Sequence, residues 1–335
     1  MRGSHSRRAL ATADSGAIAS AAMSVAEARV DVEGLLTKTS RTFALAIAFL
    51  PSPLRDEVGI AYLLFRIADT LEDTTAWPVA KRALALRRFE GLLASPGRGR
   101  EAADAASDWA SDAPSDHEGY RELLHAMPQI IALAHARPAK VRAALLLHVL
   151  RTSEGMRAFL ARADAEGRLS LETIEDLQRY CYVVAGIVGE LLTELFVIAD
   201  PRLDALAARL SPLAPGFGEG LQLVNILKDE TADVADGRRY MPGRASSALV
   251  HALARRGLAQ AGEYISLLEA AGANRGILAF VGIPWRLAHA ALDAIEQRGA
   301  GAKVTRERVA EIVASVLASL DAGTRIVGDT PSGSA

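Results

Sequence analysis

Two groups of acidic residues are spaced so that a helix would line them up. The first is Asp69, Glu72 and Asp73, in Arg66-Ile67-Ala68-Asp69-Thr70-Leu71-Glu72-Asp73. The second is Asp229 and Asp233, downstream of Gln222 and Asn225. Positions i and i+4 of an α-helix share a face, about 6 Å apart along the axis. Each group therefore makes a row of carboxylates on one stripe. Close carboxylates repel, and a cation between them relieves the repulsion. Two such rows facing each other could hold hard, oxygen-liganded cations such as Mg²⁺, which in turn bind a diphosphate. Taken singly, each row also matches a solvated helix end.

The flanks favour a site. Tyr62, Phe65, Ile67 and Ala68 precede Asp69, so the first row leaves an apolar face, and Arg66 lies three residues upstream, within reach of an anion. Gln222 and Asn225 lead to the aspartates of the second row, and amides are costly to bury without partners. Gly237-Arg238-Arg239-Tyr240 follows and could add cationic and phenolic donors. In Tyr180-Cys181-Tyr182-Val183-Val184-Ala185-Gly186-Ile187-Val188-Gly189, two glycines interrupt a helical pattern, each costing about 1 kcal/mol relative to Ala. They suit close helix packing or room for a bulky substrate with a local helix distortion. Tyr180 could handle a proton or stabilise a cation with its ring. Ser40-Arg41-Thr42-Phe43 says little by itself.

These residues must be positioned by helices. Half of the 335 residues are hydrophobic, apolar residues recur at three- and four-residue spacing, and no run alternates as a strand would. The reading is all-α: a single domain over residues 29–325, between a flexible tail at 1–28 and a disordered tail at 326–335. One stripe runs from Leu35 through Thr39 and Phe43 to Ile47, ended by Pro51 and Pro53. Helices are expected over 54–73, 120–165, 171–199, 216–232, 246–297 (kinked or broken at Pro284) and 306–322, with 95–117 as a polar surface loop. Acids at the C-terminal end of the 54–73 helix oppose its dipole and call for a compensating cation.

A net charge of −2 and the lack of a basic stripe argue against nucleic acid. Cys181, the single cysteine, excludes an internal disulfide and fits a reducing cytoplasm. No apolar stretch reaches the roughly 18–20 residues that span a bilayer. Residues 1–25 have no sustained apolar core, so no secretory signal is expected. The seven histidines show no zinc spacing, and no GxGxxG follows a strand.

Together the segments resemble the squalene and phytoene synthase family of head-to-head prenyl transferases. The matching pieces are Ser40–Phe43, Arg66–Asp73, Tyr180-Cys181 with Val184-Ala185-Gly186 and Gly189, and Asn225–Asp229 through Gly237–Pro242, in the family's order. Asp69-Thr70-Leu71-Glu72-Asp73 and Phe280-Val281-Gly282-Ile283-Pro284 resemble the squalene branch. Three positions depart from the pattern: Ala232 where an acid is usual, Lys228 where Arg is usual, and Trp285 where Gln is frequent.

The resemblance implies one helical domain around a central cavity. Asp69, Glu72, Asp73, Asn225, Asp229 and Asp233 would hold Mg²⁺, with Mn²⁺ as a substitute, and Asp69, Asp73, Asp229 and Asp233 would be catalytic through that metal. Ser40, Arg41, Arg66, Lys228, Arg238 and Tyr240 would bind diphosphate, and Tyr180 would handle a proton. Phe43, Tyr62, Val184, Gly186, Gly189, Leu192, Gln222, Phe280 and Pro284 would line the pocket. The implied reaction condenses two farnesyl diphosphates through presqualene diphosphate and reduces the product to squalene with NADPH. Phytoene, dehydrosqualene or presqualene diphosphate synthesis without hydride is the alternative, and a non-catalytic assembly factor is the alternative of another class. The implied protein is a cytoplasmic monomer that touches a membrane transiently when its lipid product leaves.

Overall fold

The computed structural model describes residues 30–74, 76–112, 117–243 and 247–328. The expected tail at 1–28, and 329–335 of the second tail, lie outside them.

The stripe expected to run unbroken from Leu35 to Ile47 is two helices, α1 (Val32–Thr39) and α2 (Arg41–Ile47). Ser40 is extended between them (φ −160°, ψ 115°), and its Oγ accepts the Phe43 N–H at 3.2 Å. A serine side chain that satisfies one of the free N–H groups of a new helix ends the old one here. Next comes α3 (Leu54–Asp73), with the bounds expected from the sequence, then α4 (Val79–Ala94).

The region expected to be a loop contains α5 (Gly99–Asp112). Ala102, Ala105, Ala106, Trp109 and Ala110 form its buried face. Alanine has high helix propensity and packs closely, so a polar-looking stretch still has a face to bury. The expected 120–165 helix is α6 (Glu118–His135) and α7 (Ala139–Leu160), parted at Pro138. Next are α8 (Ile174–Cys181), a π-turn over Tyr182–Gly186, and α9 (Ile187–Ala199). A 3₁₀ turn over Pro201–Leu206 and the short α10 (Ala207–Leu210) lead to α11 (Ala214–Ala235). The chain ends with α12 (Ser247–Ala270), α13 (Arg275–Arg298) and α14 (Arg306–Asp321). The expected 246–297 helix breaks at Gly272, where φ is +64°, and Asn274 caps the next helix. Pro284 neither ends nor splits α13 and is buried inside it. Ile326 is fully buried, so packed chain continues past 325.

One β-pairing was not expected. β1 (Leu169–Ser170) pairs in parallel with β2 (Arg238–Arg239), Leu169 opposite Arg238. Two residues per strand leave no alternation to detect.

Helices α3, α9, α11, α13 and α2 pack in a closed ring, each against the next. Two segments, Ile174–Ala199 and Arg275–Arg298, are long and apolar enough to cross a bilayer, which the sequence reading overlooked. Over half of each apolar window is buried in the protein, so core packing accounts for the apolarity.

Candidate active site

The ring encloses a cavity of about 450 Å³, apolar along its walls and charged at one end. Helix α3 brings Tyr62, Arg66, Asp69, Glu72 and Asp73 to it, and α11 brings Gln222, Asn225, Lys228, Asp229 and Asp233. Phe43, Tyr180, Val184, Gly189, Leu192, Arg238, Tyr240 and Phe280 complete the expected lining. The four-residue spacing on α3 and α11 thus places both acidic rows on the same cavity.

Arg238 links the rows. Gly237 turns the chain out of α11 with φ +78°, a conformation that disfavours a side chain. The β1 pairing then fixes Arg238 beside the acids. Its guanidinium donates to Asp73 at 2.5 Å and to Asp236 at 3.1 Å, and lies 3.6 Å from Asp233. Lys228 Nζ is 3.2 Å from both Asn225 Oδ1 and Asp229 Oδ2. Arg66 donates to Tyr62 Oη at 3.0 Å and lies 3.4 Å from Asp69. Behind the first row, buried Arg82 donates to the Glu72 carbonyl and to Gly167 O, each at 3.0 Å. Arg66, Arg82 and Arg238 thus bring positive charge to the C-terminal end of α3.

Burial dominates the electrostatics. Asp69 is pushed up to about 6 by desolvation, against Arg66 and helped by Asp73. Asp233 is also pushed up to about 6 by desolvation, against Arg238 and helped by Asp229. Desolvation lifts Glu72 and Asp73 too. Asp69 and Asp73 keep 32% and 48% of their side-chain area open, but both line the cavity. Burial works against the charges on Arg66 and Arg238, but their acidic neighbours outweigh it and hold both guanidiniums protonated.

Among the described residues, no three carboxylate, imidazole or thiol groups converge into a ready-made metal nest. Carboxylates that line one cavity from two separate helices still suit a hard cation, provided a second anionic ligand shares it. Mg²⁺ is commonly bound in that way, by one or two carboxylates together with substrate phosphates.

Tyr180 is buried, donates to Tyr240 Oη at 2.9 Å, and stacks on that ring with centroids 4.6 Å apart. The edge contact with Phe159 is at 5.2 Å. Burial, then Glu72, raises the Tyr180 pKa well above a free phenol's, so it stays a neutral donor. Tyr240, expected as a diphosphate ligand, accepts from Tyr180 and lines the cavity, with its own O–H left to donate.

Some expectations are corrected. Gly186 is not in the lining: a Cβ there would stand 2.8 Å from the Tyr182 ring and 3.0 Å from Glu219 Oε1. Gly189 lines the cavity, but a Cβ on it would meet Ala214 O at 2.1 Å, so it makes room for the α11 backbone and not for a substrate. Pro284 is buried outside the lining, and Ser40 is the cap of α2. The Arg41 side chain lies outside what is described. The departure at Trp285 does not line the cavity: its indole N–H donates to Leu258 O at 2.8 Å. Sequence reasoning missed Ile47, Phe217 and Leu221 in the wall, and Arg82 behind it. Arg82 is one of three arginines in α4 and carries no spacing signal.

The squalene/phytoene synthase family profile matches residues 36–311, more than three quarters of the chain. The chain belongs to this family. Among family relatives, the squalene synthase of Eremothecium gossypii is 34% identical over 210 residues. That of Schizosaccharomyces pombe is 32% identical over 211. Each match covers 62% of this chain but only 44% and 43% of the relative, so the chain spans under half of their length. Among solved structures, TcSQS with the ligand BPH1237 superposes with a TM-score of 0.65 at 23% identity, covering 91% of this chain and 92% of that one. A dehydrosqualene synthase in complex with a ligand gives 0.56 at 22%, covering 87% and 95%. These likenesses establish the helical isoprenoid-synthase type of fold.

Proposed function

We propose that this family member is a Mg²⁺-dependent prenyl transferase that joins two farnesyl diphosphates head to head, forming presqualene diphosphate and, with NADPH, squalene. The observation that carries the reading is the pair of acidic rows at one end of an apolar cavity, with a neutral, buried Tyr180 on the wall. Asp69, Glu72, Asp73, Asn225, Asp229 and Asp233 are the residues that would hold the cation. When bound, Mg²⁺ or Mn²⁺ supplies positive charge to a departing diphosphate.

Arg66, Lys228 and Arg238 line the same end and offer N–H donors to diphosphate oxygens, strengthening as charge builds on the leaving group. The apolar walls hold the isoprenoid chains and exclude water, which would quench an allylic cation to an alcohol. Tyr180 Oη, kept protonated, donates to Tyr240 and so leaves the Tyr240 O–H to face the substrate. The released diphosphate is the base better suited to remove the proton when the cyclopropane closes. NADPH enters through the likeness to squalene synthases alone. The proposal takes the protein as a cytoplasmic monomer that meets a membrane transiently, and exposed Leu45 and Val234 sit on helices that bear cavity residues.

The test is purified protein with farnesyl diphosphate and Mg²⁺, with and without NADPH, and mass spectrometry of the extract. Squalene formed only with NADPH supports the full reading. Presqualene diphosphate, hydroxysqualene or dehydrosqualene in both samples ends the reductive part. Untouched farnesyl diphosphate turns attention to a C20 donor, and then to a non-catalytic role.

A further inference from the structure

The helix that carries Tyr180 is irregular just after it. The π-turn over Tyr182–Gly186 takes an extra residue, and the Ile187 N–H reaches back five positions to Tyr182 O. Such turns are rare and are found mostly at functional sites. Its backbone rests on α11 at Gly218, and a set of polar contacts, mostly from α7, holds it on the face away from the cavity.

Tyr182 Oη donates to Glu190 Oε1 at 2.9 Å. In a regular α-helix, residues eight apart stand about 80° round the axis from each other, and residues seven apart about 20°. The extra residue of the π-turn gives Tyr182 and Glu190 the near-aligned relation of a seven-residue pair. Their bond therefore favours the π register over the α register. Arg151 of α7 grips both partners, donating to Glu190 Oε2 and to Tyr182 Oη, each at 2.5 Å. Thr152 Oγ1 donates to Val183 O, inside the turn, at 3.1 Å. Gly155 seats the Val183 side chain: a Cβ there would lie 2.5 Å from Val183 Cγ1. Buried His148 braces the far side, 3.1 Å from Glu194 Oε2. None of these side chains lines the cavity.

We propose that Arg151, Tyr182 and Glu190 form an external clamp that fixes the π register and so sets where Tyr180, Val184 and Ala185 stand around the cavity. They are positioning residues. Relaxing the turn by one residue would rotate one half of the helix by about 100° relative to the other. The kinetic consequence rests on the transferase reading; the structural one does not.

The experiment pairs hydrogen–deuterium exchange on peptides covering residues 178–192 with steady-state turnover of farnesyl diphosphate, in full-length Tyr182→Phe, Arg151→Met, Glu190→Ala and Glu190→Gln. Tyr182→Phe, Arg151→Met and Glu190→Ala are expected to exchange about tenfold faster across 182–187, with other peptides unchanged. Their kcat should fall about tenfold with KM within about twofold. Glu190→Gln keeps an acceptor for Tyr182 but loses the one for Arg151, and should fall between wild type and Glu190→Ala in both readouts. Should Arg151→Met fail to fold, Tyr182→Phe, which removes one oxygen, carries the test. Unchanged exchange in Tyr182→Phe overturns the clamp. Faster exchange with unchanged kcat overturns the positioning role. A wild type that consumes no prenyl diphosphate sinks the transferase reading, while exchange still decides the clamp.

Discussion

Arg238 and Asp73, 165 residues apart in sequence, meet at 2.5 Å, and the same guanidinium lies 3.6 Å from Asp233. One side chain thus holds the C-terminal ends of α3 and α11 in a fixed relation. Arg238→Met leaves Asp73 and Asp233 without that cation and removes a proposed diphosphate donor. We expect kcat/KM for farnesyl diphosphate to fall about 100-fold. Arg238→Lys should restore little, because a single ammonium cannot reproduce a planar fork that serves Asp73 and Asp236 together. Steady-state kinetics at fixed Mg²⁺ check both.

The acidic rows are tested by amide replacements that keep shape. Asp69→Asn and Asp229→Asn should each lower turnover about 10³-fold. Far-UV circular dichroism should stay that of the wild type. Near-normal activity in either variant would refute the metal assignment.

Tyr180→Phe removes the hydroxyl but keeps the stacking on Tyr240 and the edge contact with Phe159. Losing the bond leaves a buried phenol oxygen short of a partner, at a cost of about 1–3 kcal/mol by urea unfolding. Turnover should drop with little change in KM. An unaltered kcat would remove Tyr180 from the proposed chemistry.

Acid stability should depend on Asp200. Its carboxylate accepts two bonds from the Arg202 side chain, each 2.8 Å, and the Asn274 N–H at 3.0 Å. These bonds, the Arg202 side chain first, hold its pKa below the ordinary aspartate value. The unfolded chain therefore binds that proton more readily than the native one. The stabilisation is fully present above the unfolded value of about 3.9 and is lost as pH falls through the lower folded value. Asp200→Asn should lower Tm at neutral pH and flatten the loss of Tm between pH 4 and pH 2, to about the extent one carboxylate allows. An acid limb parallel to the wild type's would show that Asp200 is not involved.

Gly218→Ala would place a Cβ 2.0 Å from Ala185 O, and main chain cannot yield as a flexible side chain does. A loss of about 2–4 kcal/mol is expected from calorimetry or urea unfolding. Gly99→Ala meets nothing within 4 Å and serves as the control, within about 1 kcal/mol of wild type.

The readable parts of this protein were those carried by periodicity. Leu54–Asp73 has a long apolar stripe bounded by prolines, and its helix follows that pattern to the residue. The acid rows were legible because four-residue spacing alone puts Asp69 with Asp73, and Asp229 with Asp233, on one face. What escaped depends on contacts between distant segments. The β1–β2 pairing is too short for any pattern. Arg82 is one of many arginines until its carbonyl partners at Glu72 and Gly167 are seen. Gly186 and Gly189 mark tight packing, and sequence could not say whether a substrate or a neighbouring helix takes the space they leave. Pro284 misled in the other direction, since a proline can sit in a packed helix when its surroundings absorb the missing hydrogen bond.

The seam between α9 and α11 has a consequence for how such a cavity can change. Where Gly189 meets Ala214 O and Gly218 meets Ala185 O, backbone rests on backbone, and no side chain remains to be trimmed. A descendant with a deeper cavity could not gain that depth there by substitution. It would have to carve space where side chains form the wall, at Phe43 and Ile47 on the short α2, at Phe280 on α13, or at Leu192, Phe217 and Leu221 beside the seam. Selection on cavity depth can act through those side chains but not at the backbone seam, which follows closely after Tyr180 in the chain.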